Sequence, residues 1–227
     1  MNIGISGKIT SGKTTLRRHL ERKYGFKGLA IADPIKRIEK VHNNVHPELW
    51  ATELSIIVSE LIPKRRGDMG HPIKVRELVD VYLKIFHQCK VMKEKNRTLL
   101  QQIGNETRKY YPTLWIDYAI KASESHKNIV IDDVRYINEA ELLKSKGFEL
   151  WRIILNPKTQ RERILTTYGE EQLQYLNHAS EIDLDDSLEI FDFLIDGSVT
   201  MNNMEYSADF ILETHGIKEV IKCQDHQ

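Results

Sequence analysis

Residues 1–20 read MNIGISGKITSGKTTLRRHL, and the fold follows from how this stretch divides. Asn2 to Ser6 form a short apolar run, the pattern of a buried strand. From Gly12 to Tyr24, Leu16, Leu20 and Tyr24 recur at four-residue steps, which predicts a helix. Between the two lies GKITSGKT, Gly7 to Thr14, which fits the spacing G-x-x-x-x-G-K-[ST]. Glycines let a backbone curl tightly and approach a ligand without a side chain in the way. Curled amides at the positive end of a helix form a site for a polyphosphate. Lys13 is expected to reach the β- and γ-phosphates and the Thr14 hydroxyl to ligate Mg²⁺. Gly7, Ser11, Gly12 and Thr15 complete the expected nucleotide-binding loop.

The 227 residues suffice for one α/β domain with an insertion. Lys plus Arg and Asp plus Glu both number 33, so no overall basic field favours a nucleic acid. Cys89 and Cys223 lack metal-ligand spacing and suit a reducing compartment. A strand starting almost at residue 1 leaves no room for a signal peptide, and no apolar run is long enough to span a membrane. These features predict a cytoplasmic protein with no membrane partner.

Further along, FKGLAIADPIK predicts a second strand ending near Asp33, with Pro34 in the first turn of a helix. Helices are predicted over about 47–62, 73–92, 96–109 and 113–125, with a basic loop, PKRRGDMGHP, at 63–72. NIVIDDV (128–134) and FELWRIIL (148–155) read as core strands flanking the helix INEAELLKSKG. Residues 158–167 read as a helix and 168–187 as a polar, irregular lid. FDFLID and SADFILE each read as strands. Alternating strands and helices imply a mostly parallel sheet covered by helices on both faces. Ligands in such folds sit beyond the carboxyl ends of the strands.

In NIVIDDVR, apolar residues lead to carboxylates at a strand end, the pattern of a Walker B segment that holds Mg²⁺. Asp132 and Asp133 point to opposite faces if the strand stays extended, so one of them is expected to face the phosphates. Arg135 either grips phosphate in a bidentate fork or pairs with Glu139 on the next helix. Asp33 either caps the helix after it or contacts substrate. Arg97 and Gln101 lie four apart on one helical face. Arg161 and Arg163 fit a mobile lid that brings cations over developing charge, or a solvated helix. His178 has no partner at metal or triad spacing.

GKITSGKT, ADPIK, RTLLQQIGNE, VIDDVRYINEAELLKSKG and HASE, in this order, resemble the deoxynucleoside monophosphate kinases of large DNA bacteriophages and their bacterial P-loop relatives. The resemblance implies a P-loop kinase fold over 1–227, with a helical acceptor-binding region at about 40–125 and a lid at about 158–187. It implies transfer of the γ-phosphoryl group of ATP to a deoxynucleoside 5′-monophosphate, with Mg²⁺ held by Thr14 and Asp133. Lys13, Asp133, Arg135, Arg161 and Arg163 would be catalytic. Asp33, Lys36, Arg97, Gln101 and Arg135 would line the acceptor site, with His178 and Glu181 in the lid or base-side pocket. The host cytoplasm is implied if the gene is phage-borne, and a homodimer is left open.

The chain departs from that pattern at about 42–93, at Asn156, where relatives often carry arginine, and near Asp196, where many carry asparagine. These departures keep two alternatives open. One is a P-loop kinase acting on 5-hydroxymethyluracil in DNA, with Lys64, Arg65, Arg66, His71 and Lys74 against the DNA backbone. The other is a nucleotide-binding module that transfers nothing.

Overall fold

The computed structural model describes residues 1–61, 71–90 and 96–220, with the side chains of 71–74 also outside the description. Lys64, Arg65, Arg66, Cys223 and the side chains of His71 and Lys74 therefore lie outside the described residues. The chain forms two compact units: Met1–Ala30 with Ile120–Gln227, and Ile31–Ala119.

The first unit is built on a five-stranded parallel sheet in the order β2-β3-β1-β4-β5. The elements in chain order begin with strand β1 (Asn2–Gly7), helix α1 (Lys13–Tyr24) and the short strand β2 (Lys27–Leu29). After the second unit come β3 (Ile129–Val134), α7 (Ile137–Ser145), β4 (Glu149–Ile154) and α8 (Pro157–Tyr168). A 3-10 segment, Glu170–Asn177, then leads to α9 (Ala179–Ile182), β5 (Phe193–Asp196) and α10 (Met201–Thr214). The central strand β1 alternates its side chains between two covered faces. On one face Ile3 and Ile5 join Leu16 and Leu20 of α1 and Ala208 and Leu212 of α10 in a dry core. On the other face a Cβ on Gly4 would stand 2.8 Å from Leu150 and 3.1 Å from Leu143 of α7, so only glycine fits there.

Two expectations fail in this unit. The second strand stops at Leu29, four residues before Asp33. SADFILE is not a strand but the body of α10. Met204, Ala208, Ile211 and Leu212 are buried at helical spacing, while Phe210 faces outward and joins Ile211 and Leu212 in a short continuous apolar run.

The second unit is helical: α2 (Asp33–Asn44), a 3-10 turn at Pro47–Leu49, α3 (Trp50–Leu61), α4 (His71–Gln88) and α5 (Arg97–Tyr110). In α6 (Leu114–Ser123) the chain passes from the second unit to the first. The compact helical unit runs from Ile31 to Ala119, and its first helix starts at Asp33. α3 packs on α2 and α4, and α5 packs on the same two helices. His42 stacks on Trp50 with ring centroids 5.4 Å apart, and both meet Phe86 edge-on. No helix among the described residues is long and apolar enough to cross a membrane.

Candidate functional site: the loop after the first strand

Gly7 to Thr14 connects β1 to α1 at the carboxyl end of the sheet, in the first unit. The curl depends on its glycines. At Gly7 (φ +155°) a Cβ would stand 2.6 Å from Ser11 Oγ and 3.0 Å from the Ile153 carbonyl. Gly12 (φ +98°) heads α1 in the left-handed region, and a Cβ there would meet the Met204 methyl at 3.0 Å. Thr10 also has positive φ, at 66°. The first turn of α1 contains no acidic residue, and its N-cap makes no side-chain hydrogen bond. The Ser11 hydroxyl is buried with no hydrogen-bond partner among the described residues. A buried orphan hydroxyl in a curl of amides fits a loop built for anionic oxygens.

Lys13 is buried, and its ammonium turns back on the loop, donating to the Gly7 carbonyl at 2.6 Å and the Lys8 carbonyl at 2.8 Å. Burial, with Arg135 adding like charge, lowers its pKa to about 7, while Glu181, Asp132 and Asp133 pull the other way.

At the second residue of α1, the Thr14 hydroxyl donates to Asp132 Oδ2 at 3.0 Å. The other oxygen of Asp132 accepts from Arg17 Nη1 at 3.0 Å. The carboxylate set against the loop hydroxyl is therefore Asp132, whereas the family resemblance points to Asp133. Val130 belongs to the core formed with Leu16 and Leu20 of α1, and alternation from Val130 places Asp132 on that same face. The pairing of β1 with β3 slips by one residue nearby: Gly4 pairs with Ile131 but Ser6 pairs with Val134. A hydroxyl and a carboxylate are the hard oxygen donors that suit Mg²⁺, which also takes water and phosphate oxygens. Among the described residues no group of three or more His, Cys, Asp or Glu could hold a metal.

Arg135 follows β3. Its backbone N–H donates to Glu139 at 2.9 Å, but its guanidinium pairs with Glu181 and donates to the Ser180 carbonyl at 3.3 Å. The anticipated Glu139 contact thus involves the backbone. Glu181 also accepts the Ile9 N–H at 2.7 Å, inside the glycine loop. His178 caps α9, its Nδ1 accepting from the Ser180 N–H at 3.2 Å.

On α8 the two arginines separate. Arg163 is half-buried and donates to the Thr10 carbonyl at 3.4 Å, while Arg161 is exposed. Asn156 accepts from the Lys158 N–H at 2.9 Å and caps α8, so it serves the helix start.

Several residues at the site escaped the sequence reading. Arg17 and Asp132 form an ion pair, and Gln160 lies 3.4 Å from the Ile9 carbonyl. Arg152, 5 % exposed, bridges Ser6 Oγ at 3.0 Å and Asp185 at 2.7 Å, and Asp185 holds Lys8 at 2.6 Å. Only the repeated acid in HASEIDLDD hinted at the last group, since its partners are remote in the chain.

Asp33, Lys36, Arg97 and Gln101 belong to the second unit. Asp33 is the first residue of α2 rather than its cap, and its carboxylate takes Lys36 at 2.8 Å. Arg97 opens α5, which Asn96 caps by accepting from the Leu99 N–H at 3.0 Å. Gln101 follows one turn on, and both are half-buried.

No protein-family model and no curated protein matches the chain. Among solved structures, TT1252 from Thermus thermophilus is similar with a TM-score of 0.51 at 14 % identity, over 94 % of this chain and 97 % of that one. A dephospho-CoA kinase from Campylobacter jejuni gives 0.45 at 16 % identity, over 94 % of this chain and 96 % of that one. A shikimate kinase from Bacteroides thetaiotaomicron gives 0.44 at 15 % identity, over 95 % and 98 %. At such identities the likeness to TT1252 bears on the fold alone.

Proposed function

We propose that the protein is a Mg²⁺-dependent phosphotransferase that uses ATP, with a deoxynucleoside 5′-monophosphate as acceptor. The observation that carries the phosphotransfer reading is the grouping of Lys13, the orphan Ser11 hydroxyl and the Thr14–Asp132 pair around one glycine curl. The acceptor is taken from the family that the sequence resembles.

In this reading the loop amides and Ser11 hold phosphate oxygens, and Lys13 leaves the loop carbonyls to neutralise charge that grows during transfer. Thr14 and Asp132 hold Mg²⁺, which supplies charge neutralisation across the phosphate chain. Arg135 and Arg163 carry fixed positive charge beside the loop and help replace water there. Asp33, Lys36, Arg97 and Gln101 are assigned to the acceptor on the resemblance.

A transfer assay with labelled ATP tests the reading. Its acceptors are the four deoxynucleoside monophosphates, their hydroxymethylated forms and DNA containing hydroxymethyluracil. Label on a free monophosphate is the expected result. Label on DNA alone would leave the phosphotransferase and replace the acceptor. ATP binding without transfer to any acceptor would leave only a binding module.

A further inference from the structure

The segment Ser180–Asp185 lies on the site with three carboxylates, each on a different partner. Glu181 places one oxygen on the Ile9 N–H at 2.7 Å and the other on the Arg135 guanidinium. Its side chain is 8 % exposed, although it comes from a short surface helix. Asp183 accepts the Ile137 N–H at 2.8 Å, at the start of α7. Asp185 holds Lys8 at 2.6 Å and Arg152 at 2.7 Å. The groups so engaged are a loop amide, the amide that opens α7, a loop lysine and two arginines. These are donors that bind phosphate oxygens, and a carboxylate satisfies them in the same way.

We propose that Ser180–Asp185 is a built-in competitor for the glycine loop, with Glu181 as the anion that a polyphosphate must displace. The proposal rests on the phosphate-loop reading above. Glu181 stabilises the ligand-free loop by satisfying the Ile9 amide and Arg135, which would otherwise be left without an anion. Polyphosphate binding frees the strap, so apparent affinity is the intrinsic affinity multiplied by the fraction of molecules in which the strap is undocked. A strap docked about nine-tenths of the time weakens binding about tenfold.

Inorganic tripolyphosphate is the probe, with affinity measured by calorimetry for wild type, Glu181→Gln and Glu181→Asp. Glu181→Asp separates docking from simple repulsion, because it keeps the charge but is one methylene too short to span Ile9 and Arg135. Both variants are expected to bind about tenfold more tightly. Unchanged affinity in Glu181→Asp overturns the proposal, because repulsion alone would then explain any gain in Glu181→Gln. A second measurement needs no variant. Amide hydrogen exchange over residues 178–187 of wild type should speed up when tripolyphosphate binds. Unchanged or slower exchange with the probe bound overturns the strap and leaves the phosphate loop standing. Failure of the probe to bind wild type and variants alike overturns both. A Glu181 that serves the acceptor instead would raise the acceptor KM on substitution and leave the tripolyphosphate affinity alone.

Discussion

The aromatic centre of the second unit and the glycine loop of the first both bury polar atoms, but they treat them differently. Around His42 the polar atoms lie against uncharged neighbours. Its Nε2 lies 3.3 Å from the Phe86 carbonyl and its Nδ1 3.0 Å from Asn43, while Trp50 donates to the Val45 carbonyl at 2.9 Å. Tyr82 and Thr107 share a hydrogen bond of 2.7 Å. At the loop, Ser11 is orphaned and Lys13 is buried on two carbonyls with its pKa drawn down to about 7. Buried groups that satisfy one another hold a fold together; buried groups left incomplete or charged mark a place where something else binds.

Substitutions can break this contrast at either end. Trp50→Ala should have the largest effect, costing about 3–5 kcal/mol of stability as a cavity opens beside His42 and Phe86. Urea unfolding measures it, and a loss below about 1 kcal/mol would show that the aromatic centre collapses to fill the gap.

Lys13→Ala should invert that pattern. Phosphoryl transfer is expected to fall about 100-fold or more while the melting temperature stays level or rises, because a buried cation is removed. Near-normal turnover in the folded variant would defeat the proposed chemistry.

Asp132→Asn should weaken the Mg²⁺ dependence of transfer by about tenfold or more, and Asp133→Asn by less. Metal titrations of the two variants decide between the carboxylates, and a larger effect at Asp133 would favour the residue that the family resemblance selects.

A smaller effect is expected far from the loop, where Asp209 of α10 takes Lys23 at 2.8 Å, Tyr24 at 2.8 Å and His19 at 2.6 Å. Burial pushes the Asp209 pKa up, but these hydrogen bonds outweigh it and leave the group below its ordinary value of 3.8. A depressed carboxylate contributes stability above its ordinary pKa and loses it as pH falls through the folded value. Asp209→Asn should therefore cost about 1 kcal/mol at pH 7. The gap to wild type should narrow as pH drops below 3.8. A gap that persists in acid would mean that packing, not charge, sets the cost.

The parts legible in the sequence were those that local pattern dictates. β1, β3 and β4 are apolar runs buried on both faces, and the glycine loop has its own spacing. SADFILE reads as a strand although it belongs to α10, because the exposed Phe210 joins the buried Ile211 and Leu212 in one apolar run, which hides the period of four that Met204 and Ala208 keep. Alternation from Val130 puts Asp132 on the α1 face, but which face of β3 meets α1 is a tertiary fact, and the family resemblance pointed one residue on, to Asp133. The Glu181 contact with Ile9 spans 172 positions, and nothing near either residue specifies it.

The place of β1 in the sheet sets an order of events during synthesis. Its two partners are β3 and β4, and the first contact, Met1 with Asn128, closes across 127 positions. At about 5–20 residues per second the ribosome takes about 6–25 s to make that interval. Throughout that time the strand that carries the glycine loop has neither neighbour. The helices of the second unit are made within it and need only contacts among themselves to begin packing. The apolar run Ile3–Ile5 therefore leaves the ribosome well before either of its partners and pairs late. It is the stretch of this chain that most needs a chaperone's cover while the rest is translated.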